Sequence, residues 1–201
     1  GTLTGLTGIF LNICLFAGKF IAGIVTGAIS ITADAFNNLS DAGSSFVTLM
    51  GFRLAYKEPD SGHPYGHGRM EYITALIVDI LIILVGFELF QNSIDKIMHP
   101  ELPNISNITI ILLVVAILAK LWLFLFNRKI AKTINSAAIK GTAYDSISDS
   151  ISTAAVLLSA FVAKFAGISI DGYVSLLVSI FILITGFKAV KEMIDLLLGQ
   201  K

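Results

Sequence analysis

Long apolar segments, separated by short polar stretches, make up most of this chain. A helix needs about 20 mostly apolar residues to cross a bilayer, and six segments meet that requirement. They lie at residues 3–25, 30–54, 71–94, 105–127, 138–165 and 172–194. The pattern predicts an all-α, polytopic membrane protein with six transmembrane helices in a single domain over residues 1–201.

Composition and charge agree with that architecture. Of the 201 residues, 55% are hydrophobic and 14% are charged, whereas about a quarter of a soluble domain is charged. Lys96 and Lys164 lie on one side of the predicted helices. The other side carries Arg53, Lys57, Arg69, Arg128, Lys129, Lys132, Lys140, Lys188, Lys191 and Lys201. The positive-inside rule therefore predicts a cell-membrane protein with both chain ends in the cytoplasm.

Two lysines fall inside apolar segments, Lys19 in helix one and Lys120 in helix four. A charged group within the bilayer is costly, so we expect each lysine to snorkel to the interface or to pair within the bundle. Small residues that would let helices approach closely recur along helix one. They are Gly5, Gly8, Gly18, Gly23 and Gly27.

Two pairs of oxygen-bearing side chains have helical spacing. Asn37 and Asp41 lie one turn apart in helix two, as do Asp145 and Asp149 in helix five. If the two faces meet, three carboxylates in a low-dielectric interior must either take up protons or hold a cation. A divalent metal that alternates with protons is the natural occupant. The other interpretation, a hydrogen-bonded contact between helices, suits Asn and Ser but makes costly use of three Asp residues.

Other polar residues allow two interpretations each. His63 and His67, four apart and near Asp60, either ligate a transition metal or cap helix three from a polar loop. Asp34 lies one turn outside Asn37. It could be a fifth ligand, but we interpret it as a structural or proton-relay acid and leave it out of the metal site.

Three motifs together resemble the cation diffusion facilitator family. They are Ala-Asp-Ala-Phe-Asn-Asn-Leu-Ser-Asp at 33–41, His-Pro-Tyr-Gly-His-Gly at 63–68, and the acidic pair in the fifth of six helices. The resemblance covers essentially the whole chain. It implies a homodimeric exporter that moves a divalent metal out of the cytoplasm by proton antiport with alternating access. A transporter of this kind is not an enzyme, and we expect it to need no cofactor and to bind no nucleic acid.

The resemblance also assigns the transport site, which the family builds from two residues on helix two and two on helix five. The matching positions here are Asn37, Asp41, Asp145 and Asp149.

Two further family features have counterparts in this chain. A secondary metal site in the loop after helix two maps to Asp60, His63 and His67. A charge interlock between the inner ends of helices three and six maps to Arg69 and Asp195. Both assignments come from the resemblance.

Two departures from the family pattern shape the expected function. Zinc-transporting members usually have a histidine in the transport site, whereas this chain has Asn and three Asp residues. An all-oxygen ligand set favours Mn²⁺ and is similar to that of the family's manganese exporters; Zn²⁺ and Fe²⁺ are the alternatives. Family members also usually continue into a cytoplasmic ferredoxin-like domain, which we expect to be absent here.

Two hypotheses belong to other functional classes. Tyr144-Asp145 is similar to the Tyr-Asp motif of intramembrane aspartyl proteases, but their second motif, Gly-x-Gly-Asp, does not occur in this sequence. A channel would line a continuous pore with polar residues, whereas the acids here cluster at one depth.

Overall fold

A computed structural model of the chain describes residues 2–55, 68–134 and 137–198, in which every regular element is helical. The prediction of an all-α fold with six helices is confirmed, and the boundaries agree to within four residues except at the end of the fourth helix, which runs seven residues further than predicted. The helices are α1 (Thr2–Thr26), α2 (Ile29–Ala55), α3 (Gly68–Met98), α4 (Asn107–Ile134), α5 (Ala137–Phe161), continued by a π-helical turn at Val162–Ala166, and α6 (Asp171–Leu197).

Five helices of the described chain are long and apolar enough to cross a membrane. The exception is α2, which is 27 residues long but richer in polar residues than the other helices. These polar residues include Asp34, Asn37, Asn38 and Asp41. The lower hydrophobicity of α2 thus comes partly from the polar residues that form the candidate site. The side of the membrane on which the chain ends lie stays a prediction.

The helices pack mainly in three pairs, α1 with α2, α3 with α6 and α4 with α5. Contacts of α2 with α3, α5 and α6 join these pairs, so α2 lies between the others. The buried core draws residues from five helices, including Ile31, Leu89, Leu113, Val156 and Ile182. Side chains on α2 can therefore meet partners from several directions.

Close packing along α1 agrees with the predicted role of small residues at only part of its length. A Cβ atom at Gly23 would lie 2.9 Å from the backbone nitrogen of Thr32, and one at Gly18 would lie 3.1 Å from a leucine of α4. Gly5 and Gly8 would meet nothing within 4 Å. The tight α1–α2 contact therefore lies near the turn that joins the two helices.

That turn fixes where α2 begins. Gly27 adopts the left-handed conformation, with a φ of 69°, and its carbonyl oxygen accepts a hydrogen bond of 2.8 Å from Lys96 Nζ. The buried carboxylate of Asp171, at the start of α6, accepts hydrogen bonds from the backbone amides of Ile29 (2.8 Å) and Ser30 (3.2 Å). It thereby caps the N-terminus of α2, where unpaired amides favour an anion. This contact sets the depth of α2 relative to α6.

Candidate functional site

The faces of α2 and α5 meet at Asn37 and Asp149. Asn37 Nδ2 donates a hydrogen bond of 2.7 Å to Asp149 Oδ1, and both side chains are buried. The two residues are 112 positions apart in the chain. The predicted meeting of these helix faces is therefore observed at one residue of each pair.

A lysine from α4 joins this contact. Lys120 Nζ donates hydrogen bonds to Asp149 Oδ2 at 2.6 Å and to Asp41 Oδ2 at 3.0 Å, and its side chain is 1% exposed. The expectation that Lys120 would either pair or snorkel is resolved in favour of pairing. Sequence reasoning did not foresee that its partners would be two residues of the candidate transport site. The only signal was an isolated lysine within a long apolar segment, which demands a partner without identifying it.

Asp145 lies outside this cluster. Its side chain is exposed, although it lies one turn from Asp149 on α5 and close enough for their charges to interact. Among the described side chains, no group of three or more His, Cys, Asp or Glu residues is placed to hold a metal ion. The structure thus brings together three of the four predicted residues. Ligation by all four requires Asp145 to turn inward.

The amide of Asn37 also has a definite orientation. Its nitrogen, not its oxygen, faces Asp149. Carbonyl oxygen is the amide atom that ligates a metal cation, so ligation by Asn37 requires this amide to turn. Lys120 must also withdraw from Asp41 Oδ2 and Asp149 Oδ2 before a metal can use those two oxygens.

Asp34 lies in a separate buried cluster. Its Oδ2 accepts hydrogen bonds from Lys19 Nζ at 2.7 Å and from Thr153 Oγ1 at 2.8 Å, and its Oδ1 accepts one from Ser152 Oγ at 3.3 Å. Lys19 is fully buried and also donates to Thr153 Oγ1 at 2.9 Å. Pairing of Lys19 within the bundle is therefore confirmed. The cluster joins α1, α2 and α5.

The remaining predicted residues lie partly outside the described chain. Asp60, His63 and His67 fall in residues 56–67, and the side chain of Arg69 is also outside the described set. Asp195 lies on α6 and is partly buried. The secondary metal site and the charge interlock therefore stay predictions.

Comparison with known protein families gives a direct match over this helical bundle. The model of the cation efflux transmembrane domain matches residues 6–198. The chain belongs to the cation efflux family. This assignment confirms the family resemblance seen in the sequence motifs.

Individual relatives are similar over most of this chain. The uncharacterized transporter MJ0449 of Methanocaldococcus jannaschii is 28% identical over 94% of this chain and 67% of its own length. The manganese efflux system protein MneS of Bacillus subtilis is 28% identical over 96% of this chain and 66% of its own length. The manganese efflux system protein MneP, also of Bacillus subtilis, is 30% identical over 79% of this chain and 53% of its own length. The chain thus spans about two thirds or less of these relatives.

Family membership settles the general class of the protein. Members of the cation efflux family are transporters and not enzymes, and several helices anchor them in the membrane. The hypothesis of an intramembrane aspartyl protease is therefore wrong. The lone Tyr144-Asp145 pair that suggested it lies instead on the helix that supplies Asp149.

Proposed function

We propose that this protein exports a divalent metal, Mn²⁺, from the cytoplasm by proton antiport with alternating access. The observation that carries the proposal is a cluster in which Asp41 and Asp149 hold one cationic group and Asn37 donates a hydrogen bond to Asp149. That group is the ammonium of Lys120, held at 2.6 and 3.0 Å from two carboxylates. Two helices of the bundle thus already hold a positive charge where the family's transport site is expected.

The proposed cycle follows from competition between metal and protons for carboxylates. With the site open to the cytoplasm, Mn²⁺ displaces protons from Asp41, Asp145 and Asp149, and the amide oxygen of Asn37 supplies a neutral fourth ligand. The helices then rock, and the site opens to the outside. There protons compete for the carboxylates and the metal leaves. Because metal ligands must be deprotonated, metal affinity depends on pH and a proton gradient can drive export.

Metal preference follows from the ligand atoms. Asn37 and the three aspartates offer only oxygen, the donor that suits Mn²⁺, whereas Zn²⁺ binds readily to imidazole nitrogen. Two relatives, MneS and MneP, are named as manganese efflux proteins, which supports the same choice. Zn²⁺ or Fe²⁺ export by the same route is the alternative.

The remaining assignments complete the proposal. Asp60, His63 and His67 form a secondary metal site on the cytoplasmic side, and Arg69 pairs with Asp195 as a charge interlock in a homodimer. These roles rest on the family motifs.

Asp34 has a separate, accessory role in the proposal. We assign it a structural or proton-relay function because Lys19, Ser152 and Thr153 already occupy its oxygens.

Transport by the purified protein in lipid vesicles tests the proposal. Mn²⁺, Zn²⁺ and Fe²⁺ are compared for the wild type and for Asn37→His, which introduces a nitrogen ligand. We expect wild type to carry Mn²⁺, and the variant to lose Mn²⁺ transport while gaining Zn²⁺ transport. Asn104→His, in the exposed segment before α4, is the matched control and should behave like wild type. Wild type that carries Zn²⁺ and ignores Mn²⁺ would contradict the argument from ligand atoms.

Proton coupling needs its own measurement. A pH-sensitive dye inside the vesicles should report protons moving opposite to Mn²⁺ in wild type. An imposed proton gradient should in turn drive Mn²⁺ against its own gradient. Metal flux at ion-channel rates without proton movement would favour the channel hypothesis instead.

A further inference from the structure

Lys120 occupies the same oxygen atoms that the proposed transport site offers to metal. Its ammonium bridges Asp41 on α2 and Asp149 on α5 from a position on α4. An ammonium has three donors and no acceptor, so it stays in this place through the attraction of the two carboxylates. A metal ion that uses the same oxygens cannot bind while the ammonium remains between them.

The second buried lysine shows that this arrangement is particular to the site. Lys19 meets one carboxylate, Asp34, together with the hydroxyl of Thr153, and all of these groups are essentially excluded from solvent. Lys120 instead meets two carboxylates, and the side chain of Asp41 is 28% exposed. A cation that arrives at the site can therefore reach the side chain of Asp41, which Lys120 also contacts.

Charge decides which cation holds the site. Once Asp41 and Asp149 have lost their protons, their two carboxylates and the ammonium carry a net charge of −1, and an ionised Asp145 nearby makes the local total −2. A divalent ion carries twice the charge of the ammonium, so it can displace the ammonium once its water shell is replaced by protein oxygens. Without a metal, the ammonium keeps two carboxylates from facing each other unpaired in a low-dielectric interior, which would be costly.

We propose that Lys120 is a tethered cation that competes with the transported metal for Asp41 and Asp149, an inference that rests on the proposed transport function. It lowers the affinity of the site for metal and replaces the metal when the metal leaves. Metal release is then an exchange in which the ammonium and the incoming protons together replace the metal. The metal-free transporter can return to the opposite conformation without bare carboxylates in its core.

Metal affinity of the purified full chain, measured by calorimetric titration with Mn²⁺ at one fixed pH, tests this role. Lys120→Met keeps the aliphatic length and removes the charge. We expect the Kd for Mn²⁺ to fall by about tenfold or more, because a competing charge within hydrogen-bond distance is lost. Lys129→Met removes an exposed ammonium from the same helix and should leave the Kd within about twofold.

Thermal unfolding separates competition from simple structural support. A merely structural lysine would lower the Tm of the variant with and without metal alike. Competition predicts that Lys120→Met lowers the Tm of the metal-free protein but gives a larger Mn²⁺-induced rise in Tm than wild type, since tighter binding stabilises more. An equal or smaller rise overturns the proposal.

Lys120→Arg provides a test that does not depend on the charge-free variant folding. A guanidinium keeps its charge and binds carboxylates through several fixed donors, so this variant should bind Mn²⁺ no more tightly than wild type. Tighter binding by Lys120→Arg would overturn the proposal. Unchanged or weaker binding by a folded Lys120→Met would do the same.

Asp149→Asn distinguishes failure of the transport site from failure of the lysine role. If this substitution abolishes Mn²⁺ binding while Lys120→Met leaves the affinity unchanged, only the role of Lys120 is refuted. If Mn²⁺ binds equally well to wild type and to Asp149→Asn, the proposed transport site is wrong and the role of Lys120 falls with it.

Discussion

Two buried lysines in this protein face aspartates in different ways. Lys19 and Asp34 form a pair closed by two hydroxyl groups, and each member is essentially fully buried. Lys120 lies between Asp41 and Asp149, one of which is partly exposed. The first arrangement satisfies its carboxylate with an ammonium and two hydroxyl groups, whereas the second shares one ammonium between two carboxylates, with Asn37 as a further donor to Asp149. The same residue types thus suit a structural contact in one place and an exchangeable cation site in the other.

The largest expected difference between the two clusters concerns transport. Asp149→Asn should reduce Mn²⁺ transport in vesicles by about 100-fold, because it removes a charged ligand and leaves Lys120 with one carboxylate partner. Asp95→Asn, at an exposed residue near the end of α3, is the control and should transport normally. Retention of Mn²⁺ transport by Asp149→Asn would remove this cluster from the pathway.

For stability, in contrast to transport, the Lys19–Asp34 cluster should matter more. Lys19→Met leaves Asp34 buried without its countercharge, which should lower the free energy of unfolding by about 3–5 kcal/mol. The double variant Lys19→Met/Asp34→Asn removes both charges and should recover part of that loss. Denaturant titration in detergent measures both values. A double variant no more stable than Lys19→Met would mean that the unpaired charge of Asp34 is not the cause of the lost stability.

The smallest expected effect concerns the helix contact beside the Lys19 cluster. Gly23→Ala places a methyl group 2.9 Å from the backbone nitrogen of Thr32, so α1 and α2 must separate slightly at a cost of about 1–3 kcal/mol. Gly5→Ala, where a Cβ meets nothing within 4 Å, should leave stability nearly unchanged. Equal Tm values for the two variants would contradict the prediction that close α1–α2 packing at Gly23 contributes to stability.

Sequence reasoning predicted the helices well because their cause is local. Each segment is apolar over a length that suits a bilayer, and Gly27 and the polar stretches interrupt the pattern where helices end. Spacing of four likewise placed Asn37 with Asp41 and Asp145 with Asp149 on common helix faces. These statements need no knowledge of how the helices pack.

The arrangement of the candidate site needed more than spacing. Periodicity treats Asp145 and Asp149 alike, yet the structure buries one against Asn37 and leaves the other exposed. Residues four apart share a helix face, so rotation of α5 does not separate them. What differs is the neighbour at each level along the helix: Asp149 meets Asn37 of α2 and Lys120 of α4, whereas Asp145 lies one turn nearer the start of α5 and is exposed. A short motif does not describe which neighbours lie at each level.

The sequence by itself determined that the chain forms apolar helices and that charged residues within them must find partners, because bilayer length and the cost of buried charge depend only on local composition. Only the tertiary structure decided which partners they find. Lys19 and Lys120 are equally isolated in the sequence, and the packing of α1 and α4 against α2 and α5 directs one to Asp34 and the other between Asp41 and Asp149. Contacts between distant residues arise from the joint packing of all the helices. For that reason the position of Lys120 between Asp41 and Asp149 became visible only in the folded chain.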